Sequence, residues 1–133
     1  YHDPELCEKA TWKLLHLASP PTCILFSDDF SFIGGHNAII QSGYSLPWRL
    51  TGEKKISAIG YDGINLARMM RLTTYTQNAY IIGKSMGAKI NIIGKTAANR
   101  LIHRIEHPED AKPEQIVVSG ELMEGISVQD INN

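Results

Sequence analysis

The stretch "TCILFSDDFSFIGGHNAII", residues Thr22 to Ile40, decides the fold. Thr22 to Phe26 is a short, continuous apolar run, too brief for a buried helix and suited to a strand covered on both faces, as in parallel sheets. Ser27-Asp28-Asp29 interrupts it at once. Phe32, Ile33, Ile39 and Ile40 are then spaced for one face of a helix, and Gly43 suits the left-handed residue that follows a helix end. Strand, acidic turn and helix succeed one another within twenty residues.

The same alternation continues on both sides. Upstream, Asp3-Pro4-Glu5 predicts a helix start, with Asp as cap and Pro at the first helical position. Leu6, Ala10, Leu14 and Leu17 give the following stretch, Glu5 to Ser19, an apolar face, and Pro20-Pro21 stops it. Downstream, Ile56 to Tyr61 reads as a second buried strand, ending in Asp62 and a loop. Leu72 to Tyr75 is a third, and Gln115 to Val118 a fourth, with Glu121-Leu122-Met123 as a further candidate. Alternating helices and strands predict an α/β fold, a parallel sheet with helices on both faces.

One motif invites a different reading. "KINIIGKTAANRL", Lys89 to Leu101, ends like a phosphate-binding loop, but the position five before Gly94 is Lys89 and not the required glycine. A nucleotide loop is therefore rejected on spacing. Ile81-Ile82-Gly83-Lys84-Ser85 instead echoes Ile92-Ile93-Gly94-Lys95-Thr96 eleven residues later. Ile82, Met86, Ile90, Ile93, Ala97, Leu101 and Ile105 all fall on one helical face, which predicts a single long helix from Gln77 to Glu106. Eleven residues are about 3 helical turns, so a duplication of that length keeps the face in phase.

Composition narrows the function classes. The 133 residues are 43% hydrophobic and 20% charged, ordinary for a globular chain long enough to bury a core. Thirteen Lys plus Arg against fourteen Asp plus Glu leave a net charge of −1, no electrostatic footprint for nucleic acid. No apolar run approaches the about 18 residues of a membrane span, and the polar opening Tyr-His-Asp-Pro does not read as a signal peptide. Cys7 and Cys23 are too few for a disulfide framework, so a cytoplasmic setting is expected. His103 and His107 stand one helical turn apart without the Glu of a zinc-protease motif, so solvated histidines are expected there. No metal, cofactor or catalytic set is expected.

In parallel sheets ligands gather at the carboxyl ends of strands, and two strands here end in acid: Asp28-Asp29 and Asp62. Asp29 could cap the following helix or hold a ligand. Asp62 has no evident helix to cap, so a ligand role stands level with a purely structural one.

Four blocks together, "PTCILFSDDFSFIGGHNAI", "ISAIGYDGINLARMM", "LTTYTQNAYIIG" and "EQIVVSGELMEGIS", resemble in order and spacing the lac repressor/galactose repressor (LacI/GalR-type) family of transcription regulators. The match lies in the effector-binding region, and covers nearly the whole chain. The resemblance implies a periplasmic-binding-protein-like (type I) fold, with residues 1–133 as the C-terminal subdomain of that region. On that resemblance, most of the first subdomain and the helix-turn-helix domain are expected to lie outside these residues. It implies a small effector, often a sugar, and a homodimer, with operator DNA contacted only through the absent domain. Residue by residue, it gives Asp28 and Asp62 as effector-binding, with Asp29 and Tyr61 beside them. The helix near Phe30, with Ile33 and Ile40, and the Leu72 strand match regions of subunit contact or core packing. Three departures fall in connections: the long Trp48–Lys55 turn, the missing proline before Leu72, and the doubled helix. A rival reading is a small α/β enzyme of nucleotide-binding or dihydrofolate-reductase-like type. It rests on "SLPWRL", Ser45 to Leu50, but no acidic residue follows Trp48 where that active site needs one.

Overall fold

The computed structural model describes residues 2–49, 54–77, 92–110 and 112–130. The chain parts into two compact units, Tyr1–Tyr75 with Leu122–Asn133, and Thr76–Glu121.

In the first unit, Asp3 caps α1 (Pro4–Leu15), its side chain accepting from the Leu6 N–H at 3.0 Å, as the sequence predicts. The helix ends at Leu15, short of Ser19. His16 turns back so that its N–H and its ring Nδ1 both bond the Trp12 carbonyl, at 3.2 and 2.8 Å, and its ring stacks on Trp12. The inward face also differs from expectation. Thr11 and Leu15 are buried and Cys7 packs on the core, while Leu6, Leu14 and Leu17 are exposed. Both stripes have helical spacing. Contact with α2 (Phe32–Gln41) selects one of them, because Gly34 lets the carbonyl of Pro4 approach where any Cβ would collide.

The sheet order is β1 (Cys23–Leu25), β4 (Ser57–Tyr61), β5 (Thr73–Thr76) and β6 (Glu121–Met123). β1 and β5 both pair with β4 in parallel register, Cys23 against Ser57 and Ile59 against Thr73. The strands expected at Thr22, Ile56 and Leu72 are thus present within a residue of their predicted positions. α2 ends at a Ser42 cap followed by Gly43 at φ 76°, the conformation the sequence demanded. The core gathers Ile24, Phe26, Phe32, Ile39, Leu46, Ile56 and Leu72, with Phe26 and Phe32 edge to face at 5.2 Å. Gly35 clears room for the Phe26 ring. On β1 the burial alternates: Ile24 is covered, but Leu25 on the other face is 71% exposed.

Three small elements escape the sequence reading. β2 (Tyr44–Ser45) and β3 (Lys54–Lys55) form a two-stranded parallel pair at the ends of the Trp48–Lys55 turn, and α3 (Asn65–Met69) follows Asp62. All are too short to show periodicity.

In the second unit, α4 runs from Ile92 to Glu106. The first half of the predicted long helix, and the first copy of the echo, lie outside the described residues, although Gln77 is in a bend and not in the helix. The predicted apolar stripe of α4 is exposed at Ile93, Leu101 and Ile105. The expected strand at Gln115–Val118 is absent: the segment is irregular, and Ile116 and Val118 line a groove of about 340 Å³ against α4. Strands exist by pairing, and Gln115–Val118 has no strand neighbour among the described residues, so its apolar composition alone makes no ladder. At the end of α4, Asp110 accepts from Arg100 at 2.9 Å and meets His103 at 3.1 Å, while His107 Nδ1 lies 3.3 Å from Glu109.

Candidate functional site at the carboxyl edge of the sheet

Parallel pairing brings the ends of β1 and β4 side by side, so Asp28, Asp29, Tyr61 and Asp62 arrive at one edge. Their environments differ sharply.

Asp28 is fully buried. Its Oδ1 accepts from the Ser31 N–H at 2.7 Å, and its Oδ2 from Ser31 Oγ at 2.8 Å, Ser27 Oγ at 3.0 Å and the His2 N–H at 3.1 Å. His2 Nδ1 lies 3.2 Å from Oδ1. Burial works against the charge, but the donors from Ser31, His2 and Ser27 outweigh it and hold this carboxyl well below the usual carboxylate range. Asp28, not Asp29, is therefore the acid that secures the start of α2.

Asp29 reaches the other way, into the sheet. Its Oδ1 accepts from Thr74 Oγ1 on β5 at 2.6 Å, and its Oδ2 from the Ile64 N–H at the start of α3 at 2.9 Å. The carboxylate occupies space that a Cβ on Gly60 would fill, so a side chain there would expel it. Burial pushes its pKa up, against the hydrogen bonds from Thr74, Ile64 and Gly63. It ties β1, β5 and α3 together.

Asp62 is the partly exposed member. Its backbone sits at φ 108°, a region non-glycine residues rarely adopt, and its N–H is fixed to the Tyr75 carbonyl at 2.8 Å. Burial, then the charges of Asp29 and Asp28, raise its pKa, and His2 acts in the opposite sense. Tyr61 is half-buried and stacks on its cross-strand partner Tyr75, with centroids 5.6 Å apart. Two neighbours were not legible in sequence. His2 holds Asp28, and Phe30, 43% exposed, stands edge-on to the His2 ring at 6.2 Å. His2 precedes the first helix by two residues and no spacing pattern links it to Asp28, twenty-six positions away.

Carboxylates, a histidine and aromatic rings at a strand edge can bind hydroxyl groups from both donor and acceptor sides. Among the described residues no group of three or more His, Cys, Asp or Glu is placed to hold a metal ion. Nor is any described helix long and apolar enough to cross a membrane. A surface cleft of about 570 Å³ lies elsewhere, along α1 between Glu5, Glu8, Lys9, Trp12, Lys13 and Gln41. Its polar groups are solvated side chains of α1 together with Gln41 of α2, which bonds Glu8 at 3.0 Å, and they do not converge as those of a site do.

No protein-family model matches the sequence. The chain is 33% identical over 130 residues to the probable HTH-type transcriptional repressor ExuR of Bacillus subtilis, a match covering 96% of this chain and 34% of ExuR. It therefore spans about one third of that relative's length. Among solved structures, a putative transcriptional regulator LacI from Bacillus cereus subsp. cytotoxis superposes with a TM-score of 0.73 at 20% identity, covering 96% of this chain and 40% of the other. A LacI family transcriptional regulator from Enterococcus faecium, with bound ribose, superposes at 0.68 with 24% identity, covering 94% and 40%. Over nearly its whole length the chain is thus similar to a stretch of an HTH-type repressor, and its fold is one found within LacI-type transcription regulators of known structure.

Proposed function

We propose that this chain is the effector-sensing and dimerising part of a bacterial transcription regulator, acting in the cytoplasm, and that its effector is a sugar. In this reading the chain corresponds to the C-terminal subdomain of the effector-binding region, operator DNA is contacted by a separate helix-turn-helix domain, and no step is catalysed. The Enterococcus faecium regulator with bound ribose supports the sugar assignment, and the similarity to a repressor supports the regulatory one.

The observation that carries the proposal is Asp62. Asp62, partly buried, leaves β4 on a backbone conformation that costs roughly 1–3 kcal/mol and persists where the surroundings enforce it, commonly at ligand sites. Asp28 and Asp29, their oxygens already taken by the chain, shape the edge and keep Asp62 electrostatically poised, with Tyr61 alongside.

A carboxylate can accept two hydroxyl protons of a sugar, and loss of a hydrogen bond to a charged partner costs about 1.5–3 kcal/mol, roughly 10- to 150-fold in affinity. Asp62→Ala in the intact regulator is expected to lose effector response by that factor while operator binding stays unchanged. An effector titration of operator binding, wild type beside variant, checks it; unaltered effector affinity would remove the sugar site from this edge.

Dimerisation rests on the family resemblance and on the apolar side chains left exposed around α2 and α3, Phe30 and Met69. Ile33 and Ile40 are only partly buried, whereas Phe32, Ile39 and Leu72 belong to the chain's own core. Sedimentation at micromolar concentration should show a two-fold dimer, and Met69→Glu should shift it to monomer.

A further inference from the structure

The second unit holds its own cluster of titratable side chains, at the far end of α4. His103 and His107 stand one helical turn apart there, and both side chains are about half exposed. Spacing alone predicts two solvated histidines. The structure adds a carboxylate to each ring: His103 Nε2 lies 3.1 Å from Asp110 Oδ2, and His107 Nδ1 lies 3.3 Å from Glu109 Oε1.

Those contacts fix the chemistry of the opposite ring nitrogens. An ionised carboxylate only accepts hydrogen bonds, so in neutral imidazole the nitrogen facing it carries the proton. His103 Nδ1 and His107 Nε2 are then lone-pair donors, and among the described residues neither meets a polar partner. A carboxylate on the far nitrogen is the usual support of a metal-bound histidine, because it sets the tautomer, holds the ring and raises its basicity. The ring spacing agrees. Two imidazoles on one ion, each bound at about 2.1 Å, place their ring centres about 4.5–5.5 Å apart. Those of His103 and His107 are 4.6 Å apart. Local charge favours a cation as well. A helix end carries partial negative charge, Glu106 and Glu109 flank it, and the charge of Arg100 is engaged by Asp110 and Glu114.

We propose that His103 Nδ1 and His107 Nε2 form a two-point site for a divalent transition-metal ion of the zinc class, with Asp110 and Glu109 orienting the two rings. Imidazole suits zinc, copper and nickel, whereas calcium and magnesium take oxygen ligands. Among the described residues no third His, Cys, Asp or Glu completes a ligand set, so water fills the remaining positions. The bound ion ties the two histidines together across the last turn of α4.

The test is a titration of the whole chain with zinc chloride, followed by nitrogen NMR of the histidine rings, which reads each ring atom separately. His103 Nδ1 and His107 Nε2 should shift together, with one zinc per chain, while the nitrogens facing the carboxylates stay protonated. His103→Ala and His107→Ala should each weaken zinc binding at the remaining ring by about 100-fold, the loss expected when a two-point attachment becomes a one-point one. Both positions are exposed, so without metal the unfolding temperature of either variant should match that of wild type. If the two rings titrate independently, or if either variant binds zinc as wild type does, these are separate solvated histidines and the proposal falls. Ring nitrogens that do not move at millimolar zinc would overturn it equally.

Discussion

The carboxyl edge of β1 and β4 and the far end of α4 use the same chemistry in opposite surroundings. At the edge, Asp28 and Asp29 are buried, each linking segments distant in sequence: Asp28 to His2, and Asp29 to Thr74 and Ile64. At the end of α4, Asp110 meets Arg100 and His103 at similar distances, but in solvent and within ten residues. Exposed pairs gain little, because water solvates either partner alone almost as well. Buried ones matter because removing one partner strands the other. A contact's length alone does not tell its worth.

The largest expected effect follows directly. Asp28→Ala leaves the Ser31 N–H and hydroxyl, the Ser27 hydroxyl and the His2 N–H without their acceptor, and should destabilise the chain by about 3 kcal/mol in denaturant unfolding. Its pH dependence sharpens the test. The folded pKa of Asp28 lies below the ordinary value near 3.8, so its contribution is complete above that value and is lost as pH falls through and below it. The gap between wild type and Asp28→Ala should therefore be widest near neutral pH and close in acid. Asp29, with its pKa raised, has the opposite sign: its contribution is complete below the ordinary value and is lost as pH rises through the folded one. Asp29→Asn should thus cost less at neutral pH than Asp28→Ala. Equal costs at every pH would show that the two carboxylates do not differ in kind.

Two glycines carry the comparison from charge to packing. Helix propensity alone makes Gly→Ala favourable by about 1 kcal/mol. At Gly94, exposed in α4, Ala should raise stability by up to that amount. At Gly34, the added methyl meets the Pro4 carbonyl and must force α1 away from α2, for a net loss of about 2 kcal/mol. Thermal unfolding of the two variants should move in opposite directions; a shared sign would mean that the α1–α2 contact yields easily.

The smallest effect belongs to the solvent side. Arg100→Gln removes the partner of Asp110 and an ion pair with Glu114, yet should leave the unfolding temperature unchanged within error. A measurable loss that vanishes in high salt would place more of the second unit's stability in its charges than exposure suggests.

The strands around Ile24, Ile59 and Thr74, the α2 helix and its Gly43 end, and the Asp3 cap were all legible in sequence. Each depends on a local rule: an apolar run, a 3.6-residue period, a residue type that suits one backbone angle. The resemblance to LacI-type regulators was legible for a related reason, since the acidic turns follow those strands at fixed distances. Other features were decided only in three dimensions. Leu6, Ala10, Leu14 and Leu17 formed as regular a stripe as Cys7, Thr11 and Leu15, and the approach of α2 determined which was buried. Gln115–Val118 had a strand's composition and found no strand to pair with. Asp28 and Asp29 are adjacent and chemically identical, so sequence could not divide their roles. The fold did, because successive residues leave a strand end in different directions, one toward α2 and His2, the other toward β5 and α3. Periodicity and residue type are properties of a segment and survive in the sequence; burial and partnership are properties of pairs of segments, and exist only once the chain has brought them together.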